Sequence, residues 1–421
     1  MLHIVYRRYR AAFEGLPFEL WVMALMMLVN RAGAMVLAYL TLYLTSEVGM
    51  TEASAGRMIS VFGAGSIVGS YFGGRLVDRV GAIRVQTLCL LAAVPGYFLL
   101  PVWHNSWAIT LNIFLLSLAT EAVRPANAAV ITKVTPPEDR ARGFALQRLA
   151  ANLGFACGGA IGGVLAEFDF RLLFYVDGGT TFAAACILLY YFRLRRLPGE
   201  SSGASLAVNN SPMSDRPFML FMGLFMLSTL VFFQFISTYT LYLKDHYALK
   251  EWQIGSLFAV NTLVIVAVEM VLIDYVKRWP LLRTVGWGCF LSCLGFGLLP
   301  FGHSYAFAVL AILVMTVGEM LSMPLAAGYV ANRAPEGGEG RYMGWWVMSI
   351  ALAFVFGPMI GAAVYQVDPD QVWYIALAVA FTVLVGYHLL PEADKPDDKS
   401  LATEEALAPT EPADLIAESA S

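Results

Sequence analysis

Twelve apolar runs, most of them twenty residues or longer, follow one another along this chain with only short polar breaks between them. No other feature restricts the fold as strongly. Hydrocarbon offers a backbone no water, so each spanning segment must satisfy its own N–H and C=O groups as a helix or close into a barrel. Runs of this length without period-two alternation demand helices. The first six fall at about 16 to 45, 53 to 77, 84 to 103, 107 to 134, 143 to 166 and 171 to 192. The second six fall at about 217 to 244, 251 to 275, 282 to 301, 305 to 333, 341 to 365 and 371 to 390. The sequence therefore predicts an all-α polytopic membrane protein with twelve transmembrane helices. Its expected organisation is an N-terminal six-helix bundle over 1–192, a cytoplasmic linker over 193–216, a C-terminal six-helix bundle over 217–390 and a disordered acidic tail over 391–421.

Charge sets the expected orientation. Twenty Lys and Arg residues fall on the side that carries both termini, four on the other side, and three within helices. The positive-inside rule makes the first side cytoplasmic, and this pattern predicts a multi-pass protein of a prokaryotic inner (plasma) membrane. The formal net charge of −4 comes from the tail, which holds nine acids and two lysines. No nucleic-acid partner is expected, since the remainder carries 25 basic and 22 acidic residues. Five cysteines all lie in apolar runs, which suggests neither a disulfide framework nor a metal site. Basic Arg7-Arg8-Tyr9-Arg10 precedes the first run, but that run is too long for a signal peptide and lacks a small-residue cleavage site. A retained first helix is expected.

The chain also matches itself at an offset of 199 residues. Thr41-Leu42-Tyr43-Leu44 meets Thr240-Leu241-Tyr242-Leu243, Gly56 meets Gly255, and Arg84 meets Arg283. Pro101, His104, Pro125, Pro136, Arg142 and Gly158 meet Pro300, His303, Pro324, Pro335, Arg341 and Gly357. The two halves are thus structural repeats. Parallel six-helix repeats related by an axis along the membrane normal place a substrate site near the midplane between them.

The stretch Gly74-Arg75-Leu76-Val77-Asp78-Arg79-Val80-Gly81-Ala82-Ile83-Arg84 resembles the signature loop between helices 2 and 3 of the major facilitator superfamily. A carboxylate there can hold a helix N-terminus or a basic side chain and so latch the halves. Gly74, Asp78, Arg79 and Gly81 are expected in gating. In helix 5, Gly154, Gly158 and Gly162 belong to a run that resembles the glycine motif of the family's antiporters, with Gly159 where proline is usual. Overlapping Gly-xxx-Gly steps allow close helix approach, as a pivot or a seal; packing unrelated to transport is the other reading. Gly63-Ala64-Gly65-Ser66-Ile67-Val68-Gly69 lies within helix 2 with no strand before it, so packing is expected and not nucleotide binding. No Walker-type sequence occurs, which argues against driving by ATP hydrolysis within this chain. No cofactor or metal is expected.

Four charges fall near helix centres: Arg31, Glu121, Arg124 and Glu319. Each costs roughly 2.5 to 3.5 kcal/mol at the bilayer centre unless paired or hydrated. Glu121 and Arg124 share one helical face and, with Arg31, can form a fixed ion-pair cluster. Glu319 has no basic residue near its depth in helices 7 to 12. An acid buried without a partner takes up a proton, so Glu319, then Glu121, are the proton-coupling candidates. Asp177, Glu269 and Arg148 lie nearer the faces and are expected to form inter-helix pairs. Arg31, Arg124, Asn30 and Tyr39, with Gln234, Thr238 and Tyr239 of helix 7, are the expected substrate-binding residues. Met23, Met26, Met27 and Met35 offer a deformable apolar wall.

The resemblance covers about residues 15 to 390 and is strongest to the twelve-helix drug:proton antiporters. It implies no enzyme but a monomeric transporter in a lipid bilayer, exchanging protons for an amphipathic or lipophilic small molecule by rocking its halves. A proton-coupled symporter of a zwitterionic or anionic solute, such as a short peptide, is the second reading. A nontransporting receptor on the same fold is the third.

Overall fold

The computed structural model describes residues 10–192 and 211–390, so most of the linker and the acidic tail lie outside the described residues. The described chain makes twelve helical passages. They are α1a (Phe18–Ala32) and α1b (Val36–Ser46), α2 (Glu52–Val80), α3 (Ala82–Leu99), α4 (Ser106–Val134), α5 (Arg140–Phe168) and α6 (Phe170–Phe192). The second set is α7a (Arg216–Phe232) and α7b (Thr238–Asp245), α8 (Glu251–Val276), α9 (Leu281–Gly297), α10 (Tyr305–Arg333), α11 (Glu339–Val367) and α12 (Pro369–Leu389). Side-chain caps mark several starts. Asn105 accepts from the Trp107 N–H at the head of α4, and Ser304 accepts from the Phe307 N–H at the head of α10.

The first passage of each half is broken, where the apolar pattern predicts one continuous helix. The breaks fall at Gly33–Met35 and at Phe233–Ser237, nearly equivalent positions of the two repeats. Hydropathy does not reveal them, because Gly33-Ala34-Met35 and the two polar residues among Phe233–Ser237 leave the long apolar runs unbroken. Tertiary contacts supply what the lost helical bonds would have: the Val36 N–H donates to Asp177 Oδ2 of α6 at 3.1 Å. At the second break, Gln234 Nε2 donates to the Gly357 carbonyl of α11 at 2.7 Å and to the Leu230 carbonyl at 3.1 Å. Irregular backbone at membrane depth survives only where protein or a cavity satisfies it.

Within each half the pairings repeat, with α2 and α3 against α4, and α8 and α9 against α10. Between halves, α2 lies along α11 while α5 lies along α8 and α10. Glycine makes the first contact close, since a Cβ at Gly74 would strike the Gly340 carbonyl, and one at Gly63 would strike Val355. Length and hydropathy suffice for membrane crossing in eight described helices. Neither α2 nor α5 is among them, and both turn a face to the opposite half instead of lipid.

The contacts between halves gather at the side that carries the linker. Asp78 accepts from the Gly340 N–H at 2.7 Å, the Arg341 N–H at 3.0 Å and Arg341 Nε at 3.0 Å. Arg142, the repeat counterpart of Arg341, lies 3.7 Å from Asp274 of the other half. Arg140 Nη1 donates across the interface to the Ala331 carbonyl at 2.8 Å. The segments α1b and α7b, at the opposite side, make no extensive contact with the other half. This is the molecule shut on its linker side.

Candidate functional site

Two groups of charged side chains sit at membrane depth, one between the halves and one inside the N-terminal half. The first is built around Arg148, two turns into α5. Its Nη2 lies 3.0 Å from Glu319 Oε1 on α10, and its Nε lies 3.3 Å from Glu269 Oε1 on α8. Nη1 also donates to the Glu319 carbonyl at 3.3 Å. A planar guanidinium with several fixed donors can hold two acids from two helices at once, as an ammonium point charge cannot. Asn261 of α8 completes the site by donating to Glu319 Oε2 at 2.9 Å and to Thr316 Oγ1 at 3.0 Å.

This geometry corrects the expectation of a lone Glu319. Helices 7 to 12 hold no base near its depth, and the partner comes from the other half. Glu269 is 1% exposed and joins Glu319 on the same guanidinium, so Glu269 and Arg148 each form an inter-helix pair, as expected, and the structure supplies the partners. With all three ionised, two acids against one base leave a surplus negative charge in a buried place. Sequence reading missed Asn261, an amide within an apolar run, which was the available signal.

The second group lines a cavity of about 110 Å³ formed wholly by α1 to α6. Glu121 and Arg124 pair at 3.1 Å on one face of α4. Pro125 has no N–H for the Glu121 carbonyl, which loosens the helix where the pair projects. Arg31, the last residue but one of α1a, shares this cavity, yet no carboxylate among the described residues lies within ion-pair distance of it. Its guanidinium faces the Phe155 ring, 5.3 Å from the centroid. The alternative of a fixed three-member cluster reduces to a pair plus a separate arginine.

Asp177 belongs here too. It is 2% exposed, borders the cavity beside Arg31 and caps the start of α1b, a different task from the inter-helix ion pair expected of it. Asn30 donates to Thr181 Oγ1 of α6 at 3.2 Å. Gly154 and Gly158 press against Leu28, Arg31 and Ala32, while Gly162 meets Met35 and Tyr39. The helix 5 glycines therefore abut the broken first passage of their own half, and Cβ atoms there would push α1 away.

The helix 7 candidates do not line this cavity. Thr238 Oγ1 donates to Gln234 Oε1 at 2.8 Å, and the Gln234 amide is already committed to the break in α7. Tyr239 is 1% exposed among Phe235, Phe258 and Phe296. The structure does not bring these three together with Asn30 and Arg31, and Tyr39, which packs on Gly162, is not among the residues that line the cavity either. Among the described latch residues, Gly74 and Asp78 meet α11 directly, Arg79 is exposed, and Gly81 turns the chain with a φ of 99°.

Comparison with known proteins gives a consistent result. The family described as Major Facilitator Superfamily matches residues 20–344 and 321–418. The uncharacterised MFS-type transporter YttB of Bacillus subtilis (strain 168) is 24% identical over 383 residues, covering 89% of this chain and 95% of its own. The quinolone resistance protein NorA of Staphylococcus aureus (strain MSSA476) is 24% identical over 363 residues, covering 83% and 90%. Among solved structures, a bacterial homologue of the iron transporter ferroportin in an outward-facing state superposes with a TM-score of 0.71 at 15% identity, over 88% of this chain and 98% of that one. The human organic anion transporter MFSD10 (TETRAN) does so with a TM-score of 0.70 at 18% identity, over the same shares.

Proposed function

The chain belongs to the major facilitator superfamily of membrane transporters, and from that premise we propose that it exports an amphipathic or lipophilic small molecule in exchange for protons. The observation that carries the reading is Arg148 of one half holding Glu319 and Glu269 of the other. Quinolone resistance recorded for NorA, a similar protein over most of both chains, supports export as the direction.

The mechanism follows from counting charge. While both acids are ionised, Arg148 ties α5 to α8 and α10 and helps keep the linker side shut. A proton arriving from the open side neutralises the surplus charge, weakens the tie to one acid, and lowers the cost of parting the halves. Once the linker side opens, the proton leaves and substrate enters. The ionised acids then draw Arg148 back and the halves close behind the load. Glu319 is the principal carrier because its neighbours can serve both of its forms: the Asn261 amide N–H donates to the carboxylate, and the Asn261 carbonyl oxygen, with the amide turned over, or Thr316 Oγ1 can accept from the protonated acid; Glu269 is the second acid of the site. Glu121, tied to Arg124 inside one half, shapes the N-terminal pocket. The drive is adequate, since one proton crossing 100 mV releases about 2.3 kcal/mol before any pH difference is counted.

In this reading the linker side is cytoplasmic, the membrane is the prokaryotic plasma membrane, and one chain suffices for transport. Asp78 with Arg341, and Arg142 with Asp274, are the cytoplasmic latches. Proteoliposomes with a preset pH difference test the proposal: a lipophilic fluorescent dye should move against the proton flow and stop when a protonophore is added. Dye movement indifferent to the protonophore would overturn proton coupling. Dye and proton moving in the same direction would instead identify a symporter.

A further inference from the structure

The pocket inside the N-terminal half is not used by the proton cycle, and its charges are unevenly committed. Glu121 is held by Arg124 at 3.1 Å, and Asp177 accepts from the Val36 N–H at 3.1 Å. Arg31 alone has no anion within ion-pair reach among the described residues, although it lines the same cavity. A guanidinium at membrane depth is costly without a counter-charge, and a fixed aromatic ring offsets only part of that cost. A cationic guest here would meet Arg31 and Arg124 and would have to break existing bonds to reach a carboxylate. An anionic guest would meet an unengaged fork of donors.

The other walls fit the body of such a guest. Met26, Met27, Phe62 and Phe155 are apolar and, in part, deformable, and Thr120 and Tyr97 add hydroxyls. A volume of about 110 Å³ is somewhat below that of an apolar cavity known to admit benzene. It therefore takes the acidic end of a larger amphiphile and not the whole of it.

We propose that this pocket binds the carboxylate end of an amphipathic organic acid, with Arg31 pairing the carboxylate and Phe155 and the methionines packing its apolar neighbour. Its use in transport rests on the exporter reading above, and the site itself does not. The α1 break aids the arrangement, because Arg31 sits at the end of α1a, where the chain turns away and leaves its side chain room.

The test uses the full chain in nanodiscs of zwitterionic lipid, with no gradient, and three probes: naphthylacetate, its neutral amide, and naphthylmethylammonium. Titration calorimetry should show the acid binding at least about tenfold more tightly than the amide, the increment expected for one charge-assisted hydrogen-bonded pair. The ammonium should bind most weakly. Arg31→Gln should erase the preference for the acid, while Arg31→Lys keeps part of it. Equal affinity for acid and amide, or a preference that survives Arg31→Gln, would overturn the site. In case Arg31→Gln does not fold, Met27→Cys keeps Arg31 intact: naphthylacetate, and not the amide, should protect it from a maleimide. Equal protection by both, or protection by neither, also counts against the proposal. Coupled dye flux with no acid preference removes this site and leaves the exporter. An Arg31-dependent preference without coupled flux does the reverse.

Discussion

Arg148 and Arg31 are both arginines at membrane depth on helices of the N-terminal half, and they differ in what surrounds them. Arg148 crosses the boundary between halves to two acids, so its bonds must change whenever the halves move. Arg31 stays within α1 to α6, where a rocking motion leaves its neighbours together. One position is suited to sensing conformation and the other to sensing cargo. The lesson is that a buried charge takes its role from which rigid body holds its partner, and cost in the membrane alone cannot distinguish the two cases.

The contrast can be broken most forcefully at Arg148. Arg148→Leu strands two buried acids, and breaking a buried pair in this way costs about 3 to 5 kcal/mol. The linker side should open in most molecules, read as a lengthened distance between spin labels at Arg84 and Arg278. Arg31→Gln should leave that distance unchanged; an equal opening would erase the distinction between the two sites.

A smaller effect is expected at the latch. Asp78→Asn loses the charge on bonds to Arg341 and to two backbone N–H groups, about 1.5 to 3 kcal/mol of support for the shut state. The same spin-label pair should show partial opening. No change would mean that the latch is idle in this conformation.

Asp177 and Gln234 sharpen the comparison within each half, because both satisfy backbone at a break. Asp177→Leu should lower stability by about 1 to 3 kcal/mol, whereas Asp177→Asn keeps an acceptor for the Val36 N–H and should cost less. Gln234→Leu, which removes the donor to the Leu230 carbonyl at the break and to the Gly357 carbonyl of α11, should fall in the same range at about 1 to 3 kcal/mol. Thermal melting in detergent measures all three. Their spin-label distances should match the wild type, since neither residue bridges the halves.

Much of this architecture was legible beforehand, because apolar length and the repeat at 199 residues report directly on helices that must span hydrocarbon. The twelve passages follow from those signals, and the Asp78 latch region from the resemblance of its loop to a family signature. The breaks at Gly33 and Phe233 did not, since a helix interrupted by tertiary contacts keeps its hydropathy. The site was legible residue by residue and not as pairs. Glu319, Glu269 and Arg148 all stood out as charges in apolar runs, yet the sequence separates Arg148 from Glu319 by a whole repeat, and only packing of α5 on α10 joins them. The grouping of Gln234, Thr238 and Tyr239 with the Arg31 pocket failed for the converse reason: equal depth in the membrane does not imply a shared cavity.

The most direct test of the central claim, that the acids on Arg148 carry the coupled proton, is the proton count per dye exported in proteoliposomes of Glu319→Gln. The account predicts that dye still exchanges down its own gradient while a pH difference no longer drives its accumulation. Accumulation driven by pH with an unchanged proton count would contradict it.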